Sequence, residues 1–301
     1  MDGASPLTLC ESRNTPAKYK TVGVLGAGVM GCGLTSALVM TGHHAVLVDI
    51  SPSILEAAQT EISRSVRFQK LHGAAPTLNS REALQRVEFT LKMEALGRAD
   101  FVVENVTEDW HIKGDCIRRL DEIVTLDKVI AVNTSAISIT RIAARARAPG
   151  RVIGLHLMNP VPLKSTAEVI PGYHTTLETI DRTLEFLRGL GKEGIVVKDS
   201  PGFVSNRVLM LAVNEAAFLV YEGVATAEDA DAIFKRCFGH KMGMLETADL
   251  IGLDTVLRSI EVLYESFNDP KYRPCPLLKT MVNAGLLGCK SGRGFYRYEQ
   301  S

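Results

Sequence analysis

The stretch TVGVLGAGVMG, residues 21–31, joins a short apolar run to a glycine-rich turn and the start of a second apolar segment. Gly26, Gly28 and Gly31 follow the pattern G-x-G-x-x-G. In a strand-to-helix turn the first glycine permits the tight turn, the second lets the backbone approach a diphosphate, and the third lets the helix pack on the strand. The helix N-terminus then supplies amide donors. The predicted cofactor-binding residues of this turn are Gly26, Gly28, Val29, Met30 and Gly31.

The next apolar run, HAVLVD, ends on an acid, Asp49. An acid about 20 residues beyond the glycine turn can accept hydrogen bonds from the adenine-ribose hydroxyls and would repel a 2′-phosphate. NAD is therefore favoured over NADP as the cofactor. As an alternative, Asp49 can cap the following helix, a role that Ser51 can also fill.

Apolar runs alternate with amphipathic segments as far as residue 198, which is typical of a parallel sheet covered by helices. Strands are predicted at 21–26, 44–49, 87–90, 100–105, 128–133, 151–156, 167–170 and 193–198, and helices at 29–42, 53–72, 109–124 and 176–190. After Pro201 only helical periodicity remains, at 203–222, 226–238, 246–266 and 276–286. The predicted fold is α/β, with a Rossmann-type, mostly parallel sheet domain (1–198) and a smaller all-helical domain (199–301).

The composition of the 301 residues excludes several function classes. Lys+Arg and Asp+Glu number 34 each, so no global charge draws the chain to nucleic acid or to an anionic membrane. The six cysteines form no CxxC pair, which argues against a zinc site and a disulfide scaffold and favours a reducing compartment. The first twenty residues lack the apolar core of a signal peptide, and no later stretch reaches the roughly 20 apolar residues of a membrane span. We expect a cytoplasmic protein.

Polar side chains follow two of the predicted strands, where an open α/β sheet lines its ligand crevice. Ser135 comes after one strand and His156 ends another. Glu168 lies in the next extended stretch, so adjacent strands can bring its carboxylate against the imidazole. Such a pair suits alcohol oxidation, because the imidazole takes the hydroxyl proton while the carboxylate fixes its tautomer. We therefore predict a catalytic site that Asn206, at the start of the helical domain, also borders.

Each of these residues also has a structural interpretation. A histidine at a strand end is more often a satisfied core or surface residue, and Glu168 can be a charge on an edge strand. Ser135 can cap a helix that starts near Ser138. Asn206 can cap its own helix or face water.

Eight segments occur in a fixed order across residues 21–298: GAGVMG, VVEN, NTSAISIT, GLHLMNPVP, EVI, KDSPGFVSNR, ADLIGLD and KSGRGFYRY. In this order the chain resembles the 3-hydroxyacyl-CoA dehydrogenases. The resemblance implies that His156 is the general base and Glu168 its carboxylate partner. It also implies that Ser135 and Asn206 hydrogen-bond the substrate oxygens.

The same resemblance extends the cofactor site. It implies that Glu108 and Asn133 lie near the nicotinamide end of NAD, with Lys113 following Glu108 on the same helix. It further implies an acyl-CoA substrate and a homodimer formed through the helical domain.

The chain departs from the family pattern after the histidine. Leu157 and Met158 stand where two phenylalanines are common, 164–167 reads Lys-Ser-Thr-Ala where apolar residues are common, and Met244 replaces a usual proline. If 164–166 borders the acyl pocket, this polar wall favours a short or hydroxylated acyl group. Neutral variation on a surface loop is the alternative.

The stretch 156–176 also resembles a branch of the family found in polyketide pathways, which oxidises a glyceryl unit on an acyl carrier protein towards a hydroxymalonyl extender unit. Arg64, Arg67 and Lys70 can meet the phosphates of CoA or an acidic carrier protein, or can simply form a solvated helix face. Two further classes stay open: a non-catalytic NAD-binding homologue, and a β-hydroxyacid dehydrogenase with a catalytic lysine. The intact polar set argues against the first, and nothing near Asn206 requires the second.

Overall fold

The computed structural model describes residues 19–71 and 78–299 of the chain. Its strands form one eight-stranded sheet in the order β3-β2-β1-β4-β5-β6-β7-β8. Their bounds are β1 Thr21–Leu25, β2 His44–Val48, β3 Val87–Thr90, β4 Phe101–Glu104, β5 Val129–Val132, β6 Val152–Leu157, β7 Thr166–Pro171 and β8 Glu193–Val196. All neighbouring strands are parallel except β6 and β7, which run antiparallel.

Helices cover this sheet and then form a separate bundle. Those interleaved with the strands are α1 Val29–Met40, α2 Pro52–Leu71, α3 Ser80–Gln85, α4 Trp110–Ile123, α5 Ile139–Ala143 and α6 Leu177–Gly189. Those of the bundle are α7 Ser205–Tyr221, α8 Ala227–Phe238, α9 Met244–Ile251, α10 Leu253–Phe267 and α11 Pro276–Asn283. The predicted fold class, a mostly parallel Rossmann-type sheet followed by a helical domain, is confirmed. The predicted boundary between 198 and 199 stays a prediction.

The core lies on both faces of the sheet, because parallel strands covered by helices bury both sides. One cluster packs α1, α2 and α6 on the first face, where the Phe101 and Phe186 rings stack at 4.2 Å between centroids. A second cluster packs α4 and α5 on the other face, and the bundle has a third cluster of its own. The sheet therefore positions its carboxyl edge rigidly.

Helix starts follow the local sequence. The Asp109 carboxylate accepts hydrogen bonds from the amides of His111 and Ile112 and so caps α4. Thr176 caps α6 and Thr226 caps α8 in the same way. Such caps satisfy amides that the first helical turn leaves unpaired.

Two differences from the predicted elements have physical causes. The short helix α3 was not predicted, and Asn79 starts it with a capping box to Glu82. The single helix predicted at 246–266 is two helices, α9 and α10, which break at Gly252, where φ is +100°. A residue with this positive φ cannot continue a right-handed helix, and glycine adopts positive φ most easily.

No helix among the described residues is long and apolar enough to cross a membrane. The described cysteines are free thiols: Cys32, Cys116, Cys237, Cys275 and Cys289. Cys10 and most of the segment examined for a signal peptide fall in residues 1–18, outside the described part of the chain.

Candidate active site

The glycine turn between β1 and α1 has the shape that a dinucleotide diphosphate requires. Gly26 has φ +97°, and a Cβ on Gly31 would lie 1.9 Å from the Gly26 carbonyl oxygen. A Cβ on Gly28 would meet nothing within 4 Å, so this position faces open space. Gly28 is also the N-cap of α1 and supplies no side-chain cap. The first-turn amides, including those of Val29 and Met30, can therefore donate to an anion placed at this turn.

Asp49 follows β2 and binds the turn directly. Its Oδ2 accepts a hydrogen bond from the Ala27 amide at 2.8 Å, and its Oδ1 accepts from the Ile50 amide at 2.7 Å. Because α2 begins at Pro52, the N-cap position belongs to residue 51 and not to Asp49. The alternative of a helix cap is thus removed, and the carboxylate lies beside the glycine turn where a ribose would be held.

His156 and Glu168 are direct partners in the antiparallel register of β6 and β7. His156 Nδ1 lies 2.7 Å from Glu168 Oε2, and the residues are only 5% and 7% exposed. The one antiparallel pairing of the described sheet therefore places a carboxylate against the imidazole, and Nε2 is the ring nitrogen left for a substrate.

Three further donors hold Glu168, and all come from the start of the helical domain. Its Oε1 accepts from the Val204 amide at 2.9 Å and from the Ser205 amide at 3.1 Å, and its Oε2 accepts from the Ser205 hydroxyl at 2.6 Å. Burial alone would raise the pKa of Glu168, but the hydrogen bonds from His156, Ser205 and Val204 outweigh it and lower the pKa to about 2. Glu168 is therefore a carboxylate at any ordinary pH.

Ser135 and Asn206 lie together at the domain junction. The Asn206 side-chain amide donates to the Ser135 carbonyl at 3.1 Å. The N-cap of α5 is Ser138, whose hydroxyl accepts from the Arg141 amide. The N-cap of α7 is Val204. Neither predicted residue therefore has the capping role that was its alternative.

Glu108 shapes the same loop from the opposite side. It precedes α4, which corrects the expectation that it shares a helix with Lys113. Its Oε1 accepts from the Thr134 hydroxyl at 2.5 Å, from the Ser135 amide at 2.8 Å and from the Ala136 amide at 3.2 Å. One carboxylate oxygen thus fixes the backbone on which Ser135 is placed.

Lys113 and Asn133 form the layer behind this loop. Lys113 is fully buried, and its Nζ donates to the Asn133 carbonyl at 2.8 Å and lies 3.7 Å from Glu108 Oε2. The Asn133 side chain accepts from the Leu157 amide at 3.2 Å and donates to Asn105 at 2.9 Å. These side chains already have protein partners, and their predicted contact with a nicotinamide stays a prediction.

Sequence reasoning missed two residues of this site. Glu104, at the end of β4, accepts hydrogen bonds from Lys113, and burial raises the pKa of Glu104 to about 7 although Lys113 opposes this. The acid inside the apolar run FVVE was the available signal. Ser205 was the other, and only its place beside Asn206 hinted at a role.

The basic residues of α2 lie apart from the dyad. Arg64, Arg67 and Lys70 are exposed, and Arg64 pairs with Glu61 at 2.9 Å. Arg67 and Arg81 border a groove of 490 Å³ between α2 and α3. The predicted contact of these residues with CoA phosphates or a carrier protein stays a prediction.

Comparison with known families matches almost the whole described chain. Residues 21–200 match the model described as 3-hydroxyacyl-CoA dehydrogenase, NAD binding domain, and residues 202–298 match 3-hydroxyacyl-CoA dehydrogenase, C-terminal domain.

Curated relatives and solved structures agree with these matches. The chain is 41% identical over 283 residues to a probable 3-hydroxybutyryl-CoA dehydrogenase of Bacillus subtilis, covering 94% of this chain and 99% of the relative. It is 44% identical over 277 residues to a protein of the same description from Deinococcus radiodurans, covering 92% and 99%. The structure of (S)-3-hydroxybutyryl-CoA dehydrogenase PaaH1 from Ralstonia eutropha superposes with a TM-score of 0.88 at 40% identity, covering 94% of this chain and 100% of that one.

Proposed function

The chain belongs to the 3-hydroxyacyl-CoA dehydrogenase family of NAD-dependent oxidoreductases, and from this premise we propose that it oxidises the 3-hydroxyl of a short acyl thioester with His156 as the general base. The observation that carries this proposal is the buried contact of 2.7 Å between His156 Nδ1 and Glu168 Oε2.

The dyad is arranged to accept a proton from a substrate hydroxyl. Glu168 is ionised and accepts a hydrogen bond from the protonated Nδ1, so the neutral imidazole presents an unprotonated Nε2 to the substrate hydroxyl. When Nε2 takes that proton, the adjacent carboxylate stabilises the imidazolium. Ser135 and Asn206 lie at the domain junction and are proposed to hold the substrate oxygens.

The residues of the glycine turn fit NAD. The open position at Gly28, the uncapped start of α1 and the Asp49 carboxylate meet the needs of the diphosphate and of an unphosphorylated ribose. The bound cofactor supplies a hydride acceptor. We propose that Glu108, Asn133 and Lys113 keep the loop at its nicotinamide end in place.

The acyl group is proposed to be short. Several relatives are described as 3-hydroxybutyryl-CoA dehydrogenases, which act on a four-carbon acyl group by their name. The polar run after His156 is consistent with this, since Lys164 and Ser165 are exposed and Thr166 is half-buried. The same chemistry on a glyceryl unit attached to an acyl carrier protein is the second candidate, for which this polar run is the supporting feature.

A direct assay tests both candidates. NADH formation is followed with 3-hydroxybutyryl-CoA and with a glyceryl acyl carrier protein, each supplied with NAD. We expect turnover of the CoA thioester to exceed that of the carrier protein. The reverse order would make the carrier protein the substrate, and no turnover of either by protein that binds NAD would contradict the proposed function.

The His156→Asn variant tests the base. Removal of a general base typically lowers turnover by roughly 10²–10⁴-fold, while NAD binding through the glycine turn should be unchanged. Full activity of His156→Asn would remove the imidazole from the mechanism.

We further propose that the chain is a homodimer that pairs through the helical domain. Large apolar side chains of the bundle are exposed, as interface residues of an isolated subunit would be: Val208, Tyr221, Ile233, Phe238 and Leu250. Sedimentation equilibrium should give twice the mass of one chain. In Phe238→Asp the measured mass should fall towards that of a single chain. A monomer at micromolar concentration would contradict the proposal.

A cytoplasmic location and a domain boundary at 198–199 complete the proposal. The five described free thiols suit a reducing compartment. The last described strand ends at Val196 and the first bundle helix begins at Ser205.

A further inference from the structure

The two oxygens of Glu168 have different partners. Oε1 accepts the amides of Val204 and Ser205, at 2.9 Å and 3.1 Å, and so caps α7, whose N-cap residue offers no side-chain acceptor. Oε2 accepts from His156 Nδ1 at 2.7 Å and from the Ser205 hydroxyl at 2.6 Å. Oε1 therefore stabilises the start of α7, and Oε2 is the oxygen that contacts the imidazole.

We propose that Ser205 is a positioning residue of the reaction, whose hydroxyl shares Glu168 Oε2 with His156 and thereby limits how strongly the carboxylate binds the imidazolium. This inference rests on the proposed role of His156 as the base. It is separate from the docking of α7, because the backbone amides and not the hydroxyl make those bonds.

The geometry supports a shared acceptor. Ser205 Oγ lies 3.3 Å from His156 Nδ1, so the hydroxyl, the imidazole and one carboxylate oxygen form a compact triangle. A carboxylate oxygen that accepts two hydrogen bonds has less negative charge available to either donor. Ser205 is half-buried and belongs to the helical domain, while His156 and Glu168 belong to the sheet. The helical domain thus contributes a hydroxyl that weakens the interaction of Glu168 with the His156 imidazolium.

The other contacts described around the imidazole come from uncharged groups. The Phe203 ring lies 5.8 Å from the imidazole centroid, and Asn133 bonds the backbone beside it through the Leu157 amide. From β7 the facing group is Glu168, and from α7 it is Ser205. Among the described neighbours, the charge that acts at hydrogen-bond distance on His156 is that of Glu168, and Ser205 is the side chain that modifies it.

The test compares Ser205→Ala with Ser205→Thr, which keeps a hydroxyl. Without the hydroxyl, Glu168 binds the imidazolium more strongly, so His156 holds its proton to higher pH. The acidic limb of the kcat/KM profile of Ser205→Ala should move up by roughly half to one pH unit. At pH values below the acidic limb, the kcat/KM of Ser205→Ala should be roughly threefold to tenfold lower than that of the wild type. Ser205→Thr should follow the wild type.

The control is Ser80→Ala. Ser80 is also the first residue of a helix, and its hydroxyl bonds the Ser63 carbonyl at 3.1 Å, far from the dyad. The Ser80→Ala variant should keep the acidic limb of its kcat/KM profile at the wild-type pH. Should Ser205→Ala fail to fold, Ser205→Cys, with its weaker donor, should give an intermediate displacement.

An NMR titration of the His156 ring separates this inference from the proposed function. The His156 signal, assigned by its loss in His156→Asn, should titrate at higher pH in Ser205→Ala whether or not the thioester is turned over. If His156→Asn is fully active, the base assignment fails independently of this result. Identical profiles and identical titrations for Ser205→Ala and wild type would overturn the role of Ser205.

Discussion

Lys113 Nζ lies 3.0 Å from both carboxylate oxygens of Glu104, and neither side chain has any exposed surface. The same ammonium group bonds the Asn133 carbonyl, so the pair joins α4 to the ends of β4 and β5. Charges at this depth have no water to solvate them, and each depends on the other. The pair supports the Glu108 loop from behind.

Lys113→Met should therefore destabilise the fold strongly. Removing one partner of a buried ion pair costs about 3–5 kcal/mol of the free energy of unfolding. The double variant Lys113→Met/Glu104→Leu removes both charges and should lose less than Lys113→Met alone. Urea denaturation measures both, with Arg64→Met as a control, because its exposed pair with Glu61 is worth about 0–1 kcal/mol. A double variant less stable than the single one would contradict this interpretation.

The loss in Lys113→Met should depend on pH in a defined direction. Burial already raises the pKa of Glu104 to about 7 with Lys113 present. A carboxyl whose folded pKa is raised favours the fold at low pH and opposes it as the pH rises through that pKa. Without the ammonium group the pKa of Glu104 should rise further, so the variant should lose less stability at pH 5 than at pH 8. Equal losses at both pH values would show that Glu104 is not the titrating group.

Asp49 combines two roles that substitutions can separate. Asp49→Asn keeps an acceptor for the Ala27 amide, whereas Asp49→Ala removes it. Both variants lose the charge that repels a 2′-phosphate, so both should narrow the preference for NAD over NADP. Only Asp49→Ala should also weaken NAD binding through a loosened turn. Fluorescence titration with the two cofactors measures this, and an unchanged preference in both variants would exclude Asp49 as the discriminating residue.

The fold could be predicted from the sequence because it depends on local patterns that tertiary contacts did not override. The glycine turn, Asp49 and the alternation of strands and helices all depend on residues close in sequence, and their periodicity is preserved in the structure. The contact between His156 and Glu168 could also be predicted, because a short connection between two extended runs allows few other registers.

The missed residues depend on contacts that no local pattern encodes. The partner of Glu104 is on α4, and Ser205 meets Glu168 across the domain junction. Lys192 is similar, since its ammonium group reaches the Val161 carbonyl at 2.6 Å and the Lys164 carbonyl from a position next to β8. From the sequence alone a lysine at this position is expected to be an exposed surface charge, because the position of the neighbouring loop is not known.

Lys192 should prove to be a clamp on the loop that joins β6 to β7. It is 6% exposed, and burial lowers its pKa. Lys192→Met leaves two carbonyls without their donor, which should cost about 1–3 kcal/mol of the free energy of unfolding. Because this loop connects the strands of His156 and Glu168, kcat/KM should fall as well. Lys198→Met, at an exposed lysine beyond the end of β8, is the control. Stability and kcat/KM equal to those of Lys198→Met would exclude the clamp.

Glu168 should also make the stability of the protein sensitive to acid. Its pKa of about 2 in the folded chain lies below the ordinary value of 4.5. A carboxyl with a lowered folded pKa stabilises the fold above its ordinary pKa, and this contribution is lost as the pH falls towards the folded value. Glu168→Gln should therefore be less stable than the wild type at neutral pH, and the difference should shrink between pH 4.5 and pH 2. Glu178→Gln, at a side chain 79% exposed, should show no such convergence. Urea denaturation across this range measures the difference, and a constant gap would mean that Glu168 is not held as a carboxylate by its four donors.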